Sequence, residues 1–323
     1  MGGSLNLVIM TMTDVQITQP SEPLTGRALA FAAARDFSRF FHPAFPFEVG
    51  ARVGAVNMPC VRKDSTGSYI LIPREMADEV IESPDRLIFH LLMLGHEIAH
   101  LAHKHLDGAD SQTNDEYLTL ELWADFYGAK VAMTLLTYGE QVRLQAHRFW
   151  PHRSLPRLLL DVGSAVAMLL RHVYREHRKY PMPIERAGIT SNGILSFVRN
   201  YYGGEFNLGF YYSVPLRILF SNEFTREVIR LDGGRTEFAS SPILRAAEWH
   251  RKVQASAPAI TPGFLPPVLP YLHTSFSHSD EEIEETRRIL MDELKKSGIL
   301  GDDFEEDNLN PSYLSTDPPR DGD

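Results

Sequence analysis

Residues 96–100 of this chain read His-Glu-Ile-Ala-His, two histidines four positions apart with a glutamate directly after the first. In an α-helix of about 3.6 residues per turn, His96 and His100 lie on one face, one turn apart. Two neutral imidazoles at this spacing can bind one zinc ion, and Glu97, about 100° further round the helix, can reach the water that such an ion activates. The pattern therefore predicts a zinc site with Glu97 as general base.

The residues around this motif predict a long helix. Ser83 is a favourable N-cap, Pro84 follows at the first helical position, and Gly108 stands just past the last periodic residue. Most of the side chains between them are apolar, which indicates a buried helix. A buried helix needs polar partners for its histidines, and a bound ion would supply one.

A catalytic zinc site has three protein ligands and one open position, so a third ligand is needed. A second helix, predicted from a capping box that begins at Thr113, carries Glu121 and Asp125 four positions apart on an otherwise apolar segment. We predict Glu121 as the third ligand and Asp125 as the acceptor for the second ring N–H of a ligating histidine. The alternative is two acids on a solvated face. Gly95 and Gly128 are expected to let the two helices approach closely.

Two further histidines follow the motif. His103, seven positions after His96, lies near the predicted metal-binding face, but a fourth protein ligand would close the open position of a catalytic ion. His105 lies about 180° from His96 on an ideal helix, so we expect it in an end-capping or structural contact. Neither is predicted as a ligand.

The two helices resemble the core of the gluzincin zinc metallopeptidases, the thermolysin-type clan. The longer pattern H-E-x-x-H-x-x-x-x-H, which ends at His105, and the E-x-x-A-D that ends at Asp125 are similar to the CAAX-prenyl-protease-like group and the Lit-type phage-exclusion peptidases. The metzincin pattern does not fit, because His103 stands in place of its glycine and Leu106 in place of its third histidine. The resemblance covers about residues 69–190.

Two other segments carry the resemblance. Residues 180–186 are similar to an H-P-x-x-x-x-R segment of those families, with Tyr180 in place of the histidine. The strand predicted at 69–73 resembles the edge strand that pairs with an extended substrate. A donor to the oxyanion of the reaction remains open between His177, Tyr180 and Arg186, with the pairs at 201–202 and 211–212 as weaker candidates.

The fold class predicted from these patterns is α+β and zincin-like, with a small β-sheet ahead of a helical subdomain. Residues 51–73 alternate and turn as in a hairpin, and further helices are predicted at about 29–41 and 158–179. We expect one catalytic unit over residues 1–275, an amphipathic helix over 276–300 and an acidic, disordered tail over 301–323.

Composition excludes several classes of protein. The net charge of −10 has the wrong sign for binding nucleic acid. The single cysteine, Cys60, cannot form an internal disulfide, favours a reducing compartment and has no motif that would make it a nucleophile. The longest apolar run, 158–170, contains Asp161 and is too short to span a membrane. A soluble, cytoplasmic protein is expected.

The predicted function is zinc-dependent hydrolysis of peptide bonds in a soluble protein substrate, by an endopeptidase rather than an exopeptidase. Two alternatives stay open: a non-hydrolytic zinc-binding or protein-interaction module on the same scaffold, and a latent protease regulated through its C-terminal region. In the latter case the acidic tail would bind a regulatory partner.

Overall fold

Helices make up most of the structure, and a small β-sheet lies ahead of most of them in the sequence. The computed structural model describes residues 22–44, 46–65, 67–105, 113–150, 154–174, 180–203, 207–231 and 263–272. The strands are β1 (Gly50–Gly54), β2 (Cys60–Asp64) and β3 (Gly67–Pro73). The helices are α1 (Gly26–Ser38), α2 (Arg74–Asp78), α3 (Pro84–Ala102), α4 (Asn114–Tyr138), α5 (Glu140–Ala146), α6 (Leu155–His172), α7 (Pro183–Tyr202), α8 (Leu208–Phe220), α9 (Glu223–Leu231) and α10 (Leu269–Leu272). The predicted α+β class is confirmed at this level.

The sheet has the strand order β1-β3-β2, with β3 parallel to β1 and antiparallel to β2. The predicted hairpin is present, since β2 and β3 pair from Asp64 opposite Gly67 to Cys60 opposite Leu71. The prediction that residues 69–73 form an edge strand is wrong. This segment lies within β3, the central strand, because β1 pairs with its second side. The edge strand of the hairpin is β2.

Helix α4 begins and ends where its sequence signals predict. The Thr113 hydroxyl accepts the N–H of Glu116, and the Glu116 carboxylate accepts the N–H of Thr113, so the capping box is complete. Gly139 follows the last helical residue and also serves as the N-cap of α5. The start of α4, and with it the helix face on which Glu121 and Asp125 lie, is therefore determined by the local sequence.

Helix α3 begins after Ser83 as predicted but ends at Ala102, earlier than the Gly108 stop signal indicates. Lys104 has a φ of 54°, in the left-handed region, which turns the chain out of the helix. The residues that follow 105 lie outside the described part of the chain until 113.

The other helices agree only in part with the sequence-based expectations. The helix expected at 29–41 is observed as α1, and the one expected at 158–179 as α6, which starts three residues earlier and ends at His172. The described residues between 188 and 231 contain most of α7 together with α8 and α9. Tertiary packing rather than local pattern forms these helices, because buried residues such as Ile194, Phe197 and Val214 belong to the same hydrophobic core as α3 and α4.

Helices α3 and α4 pack backbone against backbone. A Cβ placed on Gly95 would lie 2.3 Å from the carbonyl oxygen of Gly128, and one placed on Gly128 would lie 2.6 Å from the nitrogen of His96. Side chains of any size would force the helices apart, so the predicted close approach at these two glycines is confirmed. The contact lies directly beside the first histidine of the motif.

Gly128→Ala is expected to lower the free energy of unfolding by about 1–3 kcal/mol or more, because the backbone of α3 has to shift to admit the methyl group. Chemical denaturation measures the change. Gly209→Ala, at an exposed position in α8 where an added Cβ comes no closer than 3.0 Å to a side-chain oxygen, is the control. Equal stability of Gly128→Ala and wild type would contradict the close backbone contact.

Lys130 on α4 is a buried lysine. Its side chain lies over the rings of Phe126 and Tyr127, with Nζ 5.7 and 5.9 Å from the ring centroids. Burial lowers the pKa of Lys130 to about 8. The ammonium form is therefore less favourable in the folded protein than in the unfolded chain.

The depressed pKa of Lys130 predicts a rise of stability with pH. Below pH 8 the folded state carries the full penalty of the buried charge, and the penalty fades between pH 8 and the unfolded pKa of about 10.4. We expect the free energy of unfolding to rise by on the order of 2 kcal/mol over this window, relative to Lys130→Met measured in parallel. Denaturant titrations at several pH values test this. Parallel pH profiles for the two proteins would show that Lys130 is not the cause.

All described residues fall in one structural unit, residues 1–276. The expected amphipathic helix at 276–300 and the expected acidic tail at 301–323 lie outside the described residues, and these domain assignments stay predictions. Among the described helices, none combines the length and the apolar character needed to cross a bilayer.

Candidate metal centre

Three side chains from α3 and α4 place their ligand atoms together. His96 Nε2 lies 3.0 Å from His100 Nε2, and the carboxylate oxygens of Glu121 lie 3.5 Å from the first nitrogen and 3.6 Å from the second. In a tetrahedral zinc site with bonds of about 2.0–2.1 Å, neighbouring ligand atoms are about 3.3 Å apart. The group can therefore hold a metal ion, and these are the three residues predicted as ligands from the sequence.

The ring of His96 is oriented by Asp125. His96 Nδ1 lies 2.9 Å from Asp125 Oδ1, and since the ionised carboxylate can only accept, Nδ1 carries the proton. In the neutral form of the ring, which binds metals, the lone pair of His96 is then on Nε2, which faces His100 and Glu121. The predicted contact between Asp125 and a ligating histidine is thus present in the structure.

Asp125 is itself held by two residues from later in the chain. Arg186 of α7 donates from Nε to Asp125 Oδ2 at 2.6 Å and from Nη2 to Oδ1 at 2.9 Å, and Tyr174 donates its hydroxyl proton to Oδ1 at 3.2 Å. Burial raises the pKa of Asp125, but Arg186 and His96 outweigh it, and the net pKa is lowered. Asp125 is therefore a buried, ionised carboxylate.

Arg186 binds Asp125 in the structure, whereas the sequence suggests it as a donor to the oxyanion. The residue is only 6% exposed, and its guanidinium, bonded to Asp125, lies 4.2 Å from the ring centroid of Tyr174. Tyr174 was not singled out from the sequence at all, because it lies 49 positions from Asp125 and carries no local motif. Arg186 thus holds the carboxylate that orients His96.

His105 and His103, in the turn after α3, have different contacts: His105 contacts His100, and His103 contacts the backbone of α3. His105 Nδ1 lies 2.8 Å from His100 Nδ1, so His105 contacts the candidate metal group, whereas the helical wheel predicts it on the side of the helix opposite His96. His103 Nδ1 lies 3.0 Å from the Ala99 carbonyl oxygen, and its ring packs edge-on against Tyr127. His103 therefore faces the core of the helix pair, away from the ligand group.

The electrostatics of the group favour a cation between the two histidines. Burial lowers the pKa of His96, but Asp125 and Glu121 raise it, to a net value of about 10. Burial and the neighbouring His96 lower the pKa of His100 to about 4. Although burial raises the pKa of Glu121, the two histidines and Arg186 lower it more, so this carboxylate is ionised. In the absence of an ion, the site attracts a proton to the space that a metal would occupy.

Glu97 lies beside the ligand group and next to the edge strand β2. The Val61 backbone donates a hydrogen bond to its carboxylate, and burial raises the pKa of Glu97 to about 7, against the effect of the nearby His96. The sequence predicted the position of Glu97 on α3, but not its contact with β2.

Tyr117 lies next to Glu121 and contacts a second tyrosine, Tyr180. Tyr117, one turn before Glu121 on α4, packs edge-on against Tyr180 with ring centroids 6.1 Å apart. Burial raises the pKa of Tyr117, and Glu121 and Tyr180 raise it further. Tyr180 is 42% exposed and can face a bound molecule. Tyr117 was missed in the sequence, although its spacing of four residues from Glu121 is a signal that could have found it.

The remaining candidates are placed elsewhere. His177 lies outside the described residues. Tyr201 and Tyr202 pack on Phe197 and Phe210, and Tyr211 lies against the hydrophobic core, so these rings take part in the packing of α7 and α8. Cys60 is half-buried on β2, and burial raises the pKa of its thiol, which disfavours the reactive thiolate.

Asp125→Ala is expected to weaken zinc binding about 10- to 100-fold, because His96 loses the acceptor that fixes its ring. Glu121→Ala should weaken it more, since a ligand is lost. Asp125→Ala also removes the two hydrogen bonds that Arg186 makes with Asp125 and leaves this buried guanidinium with Glu121 alone, at 3.7 Å, which costs about 3–5 kcal/mol of stability. Zinc titration against a competing chelator and chemical denaturation measure the two effects. Equal zinc affinities for Asp125→Ala and wild type would show that Asp125 does not position the ligand.

Comparison of the whole chain with protein-family models, with curated proteins and with solved structures finds no match.

Proposed function

We propose that this chain is a zinc-dependent peptidase with a zincin-like fold, of the gluzincin kind that its motifs resemble, and that it works in the cytoplasm. The observation that carries the proposal is the convergence of His96, His100 and Glu121, on two helices, with Glu97 beside them. A zinc site with a purely structural role needs no general base, so the presence of Glu97 favours a catalytic role.

The donor set suits zinc. Two imidazole nitrogens and one carboxylate oxygen are the ligands of many catalytic zinc sites, and they leave one coordination position for water or substrate. Both imidazoles have a partner on the nitrogen that faces away from the group, Asp125 for His96 and His105 for His100. Buried polar partners of this kind are a regular feature of histidine ligands.

Bound zinc would supply a water of lowered pKa and would polarise the scissile carbonyl group. Glu97 takes up the proton of that water and delivers it to the leaving amine, which requires one carboxylate within reach of both. The Val61 N–H fixes the Glu97 carboxylate against β2. Tyr180, exposed and in contact with Tyr117, is the residue that we assign as donor to the developing oxyanion.

The expected substrate is a peptide segment in an extended conformation. β2 pairs with β3 on one side only among the described strands, and its backbone runs beside Glu97. An extended segment can add to such an edge through main-chain hydrogen bonds. Internal segments of a protein chain meet this requirement, which favours an endopeptidase.

The test combines metal analysis with cleavage. Purified protein should contain about one zinc per chain, and it should cleave proteins of a cell lysate or a quenched-fluorescence peptide library. Removal of zinc by a chelator should abolish cleavage, and added zinc should restore it. Zinc binding without cleavage would favour the non-hydrolytic module, and a protein without zinc affinity would overturn the proposal.

A further inference from the structure

The turn after α3 returns His105 to the metal group. The helix ends at Ala102, and the left-handed conformation of Lys104 reverses the chain, so that the N–H of His105 donates to the carbonyl oxygen of His100 at 3.0 Å. The two rings meet edge to face, with centroids 4.8 Å apart and Nδ1 atoms 2.8 Å apart. A helical wheel would place His105 on the opposite side of the helix from His96.

The contact between the two Nδ1 atoms restricts the protonation of His100. At 2.8 Å one nitrogen donates and the other accepts. If His100 donates, its Nδ1 carries the proton and the lone pair of Nε2 faces His96 and Glu121. If His105 donates, the proton of neutral His100 is on Nε2, where it points to His96 Nε2 at 3.0 Å and blocks metal binding.

We propose that His105 is a positioning residue for the metal centre, which accepts the Nδ1 proton of His100 and thereby keeps the Nε2 lone pair directed at the ion. His105 acts on His100 as Asp125 acts on His96. The inference rests on the proposed zinc site and adds to it the residue that selects the metal-binding form of the second ligand. An imidazole acceptor, unlike a carboxylate, would orient His100 without adding a negative charge to a group that already holds Glu121 and Asp125.

Two substitutions of His105 separate this role from packing. His105→Phe keeps an aromatic ring but removes the acceptor, and we expect zinc affinity to fall about 10- to 100-fold. His105→Asn offers its amide oxygen close to the place of Nδ1, and we expect it to retain zinc affinity within about threefold of wild type. His103→Phe changes a histidine of the same turn whose Nδ1 bonds the Ala99 carbonyl oxygen and not His100. Phenylalanine keeps an aromatic ring beside that of His105, 5.7 Å away, so this variant should leave zinc affinity unchanged.

Zinc affinities come from titration of the full-length chain against a chelator, and the Nδ1–H resonance of His100 in the zinc-loaded protein is followed by NMR with ¹⁵N-labelled histidine. The resonance should be protected from water exchange in wild type and His105→Asn, and lost in His105→Phe. Wild-type affinity together with a protected resonance in His105→Phe would overturn the positioning role and leave the zinc site intact. Equal losses in His103→Phe and His105→Phe would also overturn it, because they would reveal a general effect of the turn. A wild-type chain that binds no zinc would overturn the proposed function, and the positioning role with it.

Discussion

Glutamine in place of Glu97 is expected to lower peptide hydrolysis by about 10²- to 10⁴-fold while the protein stays folded and binds zinc. The amide has the shape of the carboxylate and can accept the hydrogen bond from Val61, but it cannot take up a proton. The ligand atoms of His96, His100 and Glu121 are untouched by the substitution. The loss should appear in kcat, because the proton transfer occurs after the substrate is bound.

Initial rates on a fluorogenic peptide, with zinc content measured on the same samples, test this expectation. Glu223→Gln, at an exposed position in α9, is the matched control and should behave as wild type. Cleavage by Glu97→Gln within tenfold of wild type would remove Glu97 from the role of general base. A parallel loss of zinc would instead assign it to the metal site.

Alanine in place of His96 or His100 is expected to weaken zinc binding by more than about 100-fold, beyond the loss from an outer partner such as Asp125. Each substitution removes one of three ligand atoms, and the two that remain cannot complete the coordination of the ion. Hydrolysis should disappear with the metal.

Elemental analysis after dialysis and a chelator competition measure the metal. His172→Ala, an exposed histidine at the end of α6, is the control for general effects of removing an imidazole. A full equivalent of zinc in both His96→Ala and His100→Ala would show that the ion binds elsewhere.

The parts of the fold that local chemistry determines could be predicted from the sequence. The Thr113 capping box fixes the start of α4, and the spacing of His96 and His100 fixes their common face. The apolar segments around them indicated buried helices, and the small residues Gly95 and Gly128 indicated a close contact. Each of these signals is contained within a few residues of the chain.

Other features depend on contacts between distant parts of the chain, and the sequence could not predict them. The parallel pairing of β1 makes residues 69–73 central in the sheet, although they read like an edge strand. Tyr174 carries no pattern that points to α4, and the motif that contains Arg186 predicts a residue near the site but not its bonds to Asp125. His105 was misplaced by the helical wheel for a different reason, since the wheel does not apply past the left-handed turn at Lys104.

The backbone contact between Gly95 and Gly128 bears on the thermodynamics of metal uptake. His96 adjoins this contact, and Glu121 and Asp125 lie within two turns of it on α4, so the spacing of the ligands is set by main-chain packing before any ion arrives. Because these helices are already packed, the protein would lose little conformational entropy when it binds the ion. Small zinc domains that fold only as they bind lose much more. The fold would therefore not depend on the proposed ion, although a bound ion would add to its stability by mass action, and a chelator would yield a native apoprotein that can be reloaded.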